Sequence, residues 1–486
     1  MVDISPKYSR ITHNRLTTAF FIFTFVHCFA QGVIQSFLFS IDSEYHDLLR
    51  GITALADIPT RNFTYLEGSP GHVHLKLCSD IPIKQYNPCD DVFQSTVDVK
   101  NPVVDQNHLN AIDRSELALD KVVGGMSIAA DRRGGIVFGV NITSGTLNIP
   151  LSFQCTQILV HPQQIMRNSM REDATWILLQ FWLLVISTMA ILYDSVPHIL
   201  TVLAARSLVT GWAMYAIWRT KYNEGIFEEM IYNSGTPCSI NLFPDYFSTR
   251  IPDLILNCTA LFIACYLSWT LLQVYTAQSF KCVGAPERIN RLNKFFMAVL
   301  ACLQLEAFAL PVAAGLWVDV LFNTAISGIS THTKEYKAAF IFTTLVLLPW
   351  IAMGWYAIRY EMRRLMIIFL GLAFCLIGVW ASMFDSIVYR WTFVQWPLFA
   401  CYTISSLILT AATIMLGIVC RLNFGKGLAQ YLHAEKVLVS SNFAGEMFTH
   451  DEEKGPMDIN IKEPLRFDQF PIPTLHAAPA PFPTAR

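Results

Sequence analysis

From Ala174 to Cys420 the chain alternates between long apolar runs and short polar stretches. The runs at 174–193, 196–218, 252–275, 295–319, 338–358, 365–388 and 394–420 each hold about the 20 residues a helix needs to cross a hydrocarbon core of ~30 Å. In lipid every backbone N–H and C=O must be paired within its own segment, so each run predicts an α-helix. One more apolar run leads the chain, from Leu16 to about Phe39. It is rich in Phe and interrupted by His27, Gln31 and Gln35. It reads as a cleaved signal peptide, with a cut site near Ala30, or as a retained signal anchor, which its length favours. Both readings put residues 41–173 across the membrane.

Between 41 and 173 the pattern changes. His72-Val73-His74-Leu75-Lys76-Leu77 alternates as a half-buried strand does. Gly135–Val140, Leu147–Phe153 and Ile158–Val160 are short β-branched or aromatic runs bounded by Gly, Pro, Asn and Ser. Residues 41–60 carry Leu48, Leu49, Ile52 and Leu55 on one helical face, and Asp113–Val123 predicts a second short helix. The fold class is therefore a membrane all-α core of seven helices, eight spans with the N-terminal one, plus a β-rich α+β lumenal or extracellular domain. The organisation follows: 1–16 a cytoplasmic N-terminus, 17–40 the anchor or first transmembrane helix, 41–173 the β-rich domain, 174–420 the seven-helix core. Residues 421–486 form a polar, later proline-rich tail that reads as disordered.

Composition agrees with this pattern. The chain is 53% hydrophobic and 15% charged, less charged than soluble domains usually are. No basic cluster points to nucleic acid, so the implied partners are the lipid bilayer and an unidentified lumenal ligand. Lys281, Arg288, Arg291, Lys294, Arg359, Arg363, Arg364, Arg421 and Lys426 gather in alternate loops. The positive-inside rule then sets both termini in the cytoplasm and 41–173 in the lumen or outside, in the plasma membrane or the secretory pathway.

Candidate chemistry is sparse. Asn62-Phe63-Thr64 and Asn141-Ile142-Thr143 are glycan acceptor triplets on the lumenal side, whereas Asn257-Cys258-Thr259 falls inside a span. Cys78, Cys89, Cys155 and Cys238 are lumenal, an even set that allows three pairings. Their spacing favours Cys78 with Cys89, leaving Cys155 with Cys238. Arg206 and Glu306 lie at similar depths in spans that run the same way, which suggests an intramembrane ion pair. Pro311, Pro349 and Pro397 interrupt spans. Cys420, beside Arg421 at the membrane edge, is a lipidation candidate. Gly425-Lys426-Gly427 lacks the rest of a phosphate loop, and neither His-Glu-x-x-His nor Gly-x-Ser-x-Gly occurs. No cofactor, no metal and no enzymatic activity are expected.

Cys420-Arg421-Leu422-Asn423-Phe424-Gly425-Lys426-Gly427-Leu428, then Tyr431-Leu432 and the acidic His450–Lys454, resembles the juxtamembrane tail start of a group of uncharacterised fungal multi-pass membrane proteins. That resemblance implies a fungal membrane protein and no established activity. In layout alone the chain is similar to Wntless-type sorting receptors and to seven-helix receptors. The third core span ends Gln273-Val274-Tyr275-Thr276 rather than in Asp/Glu-Arg-Tyr, and the last lacks Asn-Pro-x-x-Tyr. The sequence thus leads to a receptor-like, sensing or sorting protein. The alternative is a transporter or channel with a path near Arg206 and Glu306.

Overall fold

The computed structural model describes residues 11–12, 14–82, 88–95, 126–133, 136–144, 147–233, 236–240, 246–281, 287–324 and 333–426. The expected helix at Asp113–Val123, Cys282 and the tail beyond Lys426 lie outside the described residues. Helix α1 spans Arg15–Leu55; strands follow at β1 Phe63–Ser69, β2 His72–Cys78, β3 Cys89–Gln94, β4 Ser127–Arg133, β5 Ile136–Ser144 and β6 Leu147–Ser152. The remaining helices are α2 Phe153–Ile158, α3 Val160–Leu192, α4 Val196–Phe227, α5 Tyr246–Lys281, α6 Glu287–Asn323, α7 Thr333–Arg359, α8 Arg363–Met383, α9 Ile387–Gln395 and α10 Pro397–Leu422. A π-helical turn, Glu228–Tyr232, extends α4.

Seven helical segments among the described residues are long and apolar enough to cross a membrane: Arg15–Leu55, Phe153–Leu192, Val196–Tyr232, Ser248–Tyr275, Ile289–Asn323, Arg363–Met383 and Pro397–Leu422. Helix α7, which the apolar pattern also marks as a span, packs between α6 and α8. The bundle interior is packed with apolar side chains such as Trp317, Trp350 and Phe369, and large apolar side chains also cover its outer faces. On α1, Ile22, Phe25, Val26, Phe29, Val33 and Phe37 are exposed while Thr24, His27, Gln31 and Gln35 are buried. On α10, Ile404, Ile408 and Met415 face outward, and Thr403, Ser406, Thr410, Thr413 and Gly417 face inward at helical spacing. Small and hydroxylated residues let helix backbones approach closely where lipid removes any hydrophobic drive between helices. Two glycines mark the tightest crossings. A Cβ on Gly354 of α7 would lie 2.5 Å from the Phe369 ring of α8, and one on Gly417 would lie 2.8 Å from Met366 Cε.

The β region forms two antiparallel sheets of three strands, ordered β1-β2-β3 and β4-β5-β6. In the first, Phe63 opposes Cys78 and Cys78 opposes Cys89. Gly68 enters the β1–β2 turn at φ +96°, where a Cβ would lie 1.9 Å from the His72 carbonyl oxygen, so only glycine fits. In the second, Val140 and Ile142 of β5 point inward and Asn141 between them is half-exposed, the period-two pattern of a sheet with one covered face.

The sheets share one core with the helices. Tyr45, Leu49 and Ile52 of α1, Val73, Leu75 and Leu77 of β2, Val140 and Ile142 of β5, and Ile226, Phe227, Met230 and Ile231 at the end of α4 form a single buried cluster. Three boundaries drawn from the sequence therefore shift. Helix α1 runs unbroken past residue 40 to Leu55, and α3 begins at Val160 rather than near 174. At 41 residues, α1 is about 60 Å long at ~1.5 Å per residue, roughly twice a hydrocarbon core. Ile158–Val160, expected as strand, is helical, because this run lies in the same buried face as Cys155 and Met166. Pro397 interrupts nothing. It opens α10 at the first helical turn, where its missing N–H costs no hydrogen bond, and α9 fills the preceding stretch.

Candidate functional site

The residues that could carry chemistry collect on the faces where α1, α3, α4 and α5 meet. His27, Gln31 and Gln35 recur every four residues along α1 and so share one helical face. That face meets α5, where Asp253 Oδ1 accepts from Gln35 Nε2 at 2.8 Å, from Gln31 Nε2 in a very short contact, and from Asn257 Nδ2 at 3.2 Å. Asn257 also donates to the Asp253 carbonyl oxygen at 2.9 Å, a helical i−4 contact. The Asn257 amide nitrogen is thus engaged inside the bundle. Arg206 of α4 reaches the same stripe one turn further from the β region, where its Nη1 donates to His27 Nδ1 at 3.0 Å. The imidazole nitrogen that accepts this bond carries no proton, so the pair is one cation beside a neutral ring. Phe23 lies under the guanidinium, 5.2 Å from its centroid, a stacking worth more where water is absent.

Toward the β region the stripe turns into a belt of charges. Arg250 Nη2 lies 3.6 Å from Asp42 Oδ2. Glu172 receives both ends of the Arg219 guanidinium, at 2.8 and 2.5 Å, and the Trp396 indole N–H at 3.1 Å. Arg219 also stacks over Trp212 and Tyr215, and Arg171 over Trp396. Arg171 Nε meets Asp319 Oδ2 of α6 at 2.5 Å. Fork-to-fork arginine–carboxylate pairing fixes direction as well as charge, so this belt locks α3 to α4, α6 and the start of α10. Several buried atoms in the stripe and belt have no hydrogen-bond partner among the described residues: His27 Nε2, Gln31 Oε1, Gln35 Oε1, Arg206 Nε and both oxygens of Asp173.

The expected Arg206–Glu306 pair does not form. Glu306, fully buried on α6, accepts from Thr410 of α10. Arg206 faces α1, whose polar stripe the depth comparison left out. Equal depth fixes how far along the bundle two residues sit, not which neighbour each faces. Cys420 is also not placed for lipidation. It is 8% exposed and sits in the bundle core, which hides the thiol from an acylating enzyme. These four cysteines are joined as Cys78–Cys89, across two facing strand positions, and Cys155–Cys238, between α2 and the segment after the π turn. Asn62 precedes β1 and is half-exposed, as is Asn141, whereas Asn257 is buried.

The β region is tied to the helix ends by polar contacts too. Thr64 Oγ1 donates to Gln164 of α3 at 2.9 Å, and Glu229 of the π turn accepts the Gly71 N–H at 2.6 Å and the Val73 N–H at 3.4 Å. On the outer face of the β1–β2 hairpin Lys76 Nζ bonds Glu67 Oε2 at 2.9 Å, and that bond raises the lysine pKa. No group of three His, Cys, Asp or Glu side chains among the described residues is arranged to hold a metal ion.

Seven apolar helical segments among the described residues, with large apolar side chains on their outer faces, fit a multi-pass integral membrane protein with a small β region at one end. Comparison with protein-family models, with curated proteins and with solved structures finds no match.

Proposed function

We propose that the chain is a receptor-like protein that senses or sorts a ligand on the lumenal or extracellular side, with Asn62 and Asn141 glycosylated there. One observation carries this reading: α1, α3 and α4 continue from the apolar bundle into the core of the β region, where Cys155–Cys238 joins α2 to the segment after the π turn. A rigid helical extension transmits a displacement of the sheets to the helices, which a loosely tethered domain cannot do. The expected orientation keeps both termini in the cytoplasm, in line with the basic loops. No catalytic role is part of the proposal, and a fungal origin rests on the tail resemblance alone.

The buried polar stripe favours a second reading, a transporter whose path follows α1, α4 and α5 rather than Arg206 and Glu306 together. Vesicles holding the purified full-length protein separate the two. The receptor reading expects no ion or solute flux above empty vesicles, and it expects a photo-cross-linker at Phe138, exposed on β5, to capture a ligand bearing a lumenal segment. Flux that disappears on Arg206→Gln would overturn it. The orientation has its own check: a C-terminal epitope is digested only after right-side-out vesicles are lysed, and digestion on intact cells refutes it.

A further inference from the structure

We propose that Asp173 of α3 is a proton-binding site. The argument starts from the charges around it. Asp42 on α1, Glu172 on the same helix, Arg219 on α4, and Arg250 and Asp253 on α5 all act on it electrostatically. Asp319 on α6 is engaged with Arg171 instead. Glu172 is matched by Arg219 through two bonds, and Asp42 by Arg250. Asp253 takes side-chain N–H bonds from Gln31, Gln35 and Asn257. Four carboxylates therefore share two guanidiniums. Glu172 and Asp253 have dedicated donors, whereas Asp42 and Asp173 share the charge of Arg250. Asp173 is the one with no bonded partner among the described residues. It is fully buried, and neither oxygen has a hydrogen-bond partner among the described residues.

A buried carboxylate is tolerated ionised only when donors or a cation surround it. Arg250 acts on Asp173 from a distance without bonding it, and its charge is divided with Asp42. A proton taken from bulk water removes the excess charge and converts Asp173 to a neutral acid; on release the proton returns to water and the charge reappears. The site lies near the end of the bundle from which α1 and α3 continue into the β region, and proton release repels Asp42 and Asp253 from α3. The inference stands apart from the receptor reading, because a sensor and a transporter would use such a site equally well.

The test uses the purified full-length protein. Infrared difference spectra at neutral pH should contain the C=O stretch of a protonated carboxylic acid that is lost in Asp173→Asn; any band from the buried Glu306 cancels in the comparison. The sign for stability is fixed by the same physics. A proton bound in the folded state and lost on unfolding makes thermal stability fall as pH rises from the ordinary carboxylate range, and the slope is shallower in Asp173→Asn. If that variant does not fold, Asp173→Glu decides: the band moves with the longer acid, and an unmoved band overturns the proposal. Identical spectra of wild type and Asp173→Asn also overturn it. So does a band seen in choline buffer and lost in sodium buffer, which would make the site a sodium site.

Discussion

Arg206 shows how a buried charge is settled by its nearest available acceptor rather than by its formal opposite. Its guanidinium bonds a neutral imidazole and stacks on a phenyl ring, while Glu306 is served by a threonine on another helix. Double-mutant cycles in thermal stability should therefore find a coupling of ~0.5–3 kcal/mol between Arg206→Ala and His27→Ala, and additivity within ~0.5 kcal/mol between Arg206→Ala and Glu306→Ala. Strong coupling in the second cycle would refute this assignment. The signal for the true partner was present in the sequence. His27, Gln31 and Gln35 break an apolar run at intervals of four, the spacing of one helical face. What the sequence did not contain was the neighbour of that face, since α1 meets Asp253 across 218–222 intervening positions. Asp173 was hidden for a different reason. It sits between Glu172 and Ala174 at a span boundary, where a charged residue ordinarily marks exposure.

Elements were the most legible level, because a run of ~20 apolar residues has few alternatives to a helix in lipid. Strands β2, β5 and β6 were legible through alternation and turn residues, whereas β1 and β3 lacked a clean period-two pattern and went unread. Helix ends were the weakest point: past residue 40, α1 changes from lipid-facing to core-facing periodicity without a break, and composition alone suggested a boundary. Helix crossings were invisible to periodicity but are specific in the structure. Trp350 stacks on Phe369 at 4.9 Å and donates to its carbonyl oxygen at 3.1 Å, directly beside Gly354. Gly354→Val should cost about 1–3 kcal/mol by overpacking, and Phe369→Ala in the same chain should recover part of that loss. An unchanged melting temperature for Gly354→Val would mean that α7 and α8 do not cross at this point.

At the scale of the whole molecule, the two disulfides do different work. Cys78–Cys89 closes 11 residues within one sheet, and Cys155–Cys238 closes 83 and joins α2 to the segment after the π turn. Chain entropy gives ~3 kcal/mol for the short loop and at most ~4–5 kcal/mol for the long one, less where the bilayer already restrains the unfolded chain. Cys155→Ser with Cys238→Ser should speed hydrogen exchange in β4–β6 and the π turn together. Cys78→Ser with Cys89→Ser should affect β1–β3 alone. Exchange that rises in one sheet for both pairs would argue against a shared core. Glycan removal is a separate readout: a glycosidase gel shift should shrink in steps with Asn62→Gln and Asn141→Gln and be unaffected by Asn257→Gln.

The distance along the chain between the α1 stripe and its partners also sets an order of events during synthesis. Gln31 is made 222 residues before Asp253, an interval of about 10–45 s at ribosomal speeds of ~5–20 residues per second. Throughout that interval Gln31 and Gln35 stand in the membrane without the helix that satisfies them. The first helix of this protein is thus an unfinished surface from the moment it is inserted. It must be shielded by the insertion machinery, or held near the aqueous edge, until α5 arrives.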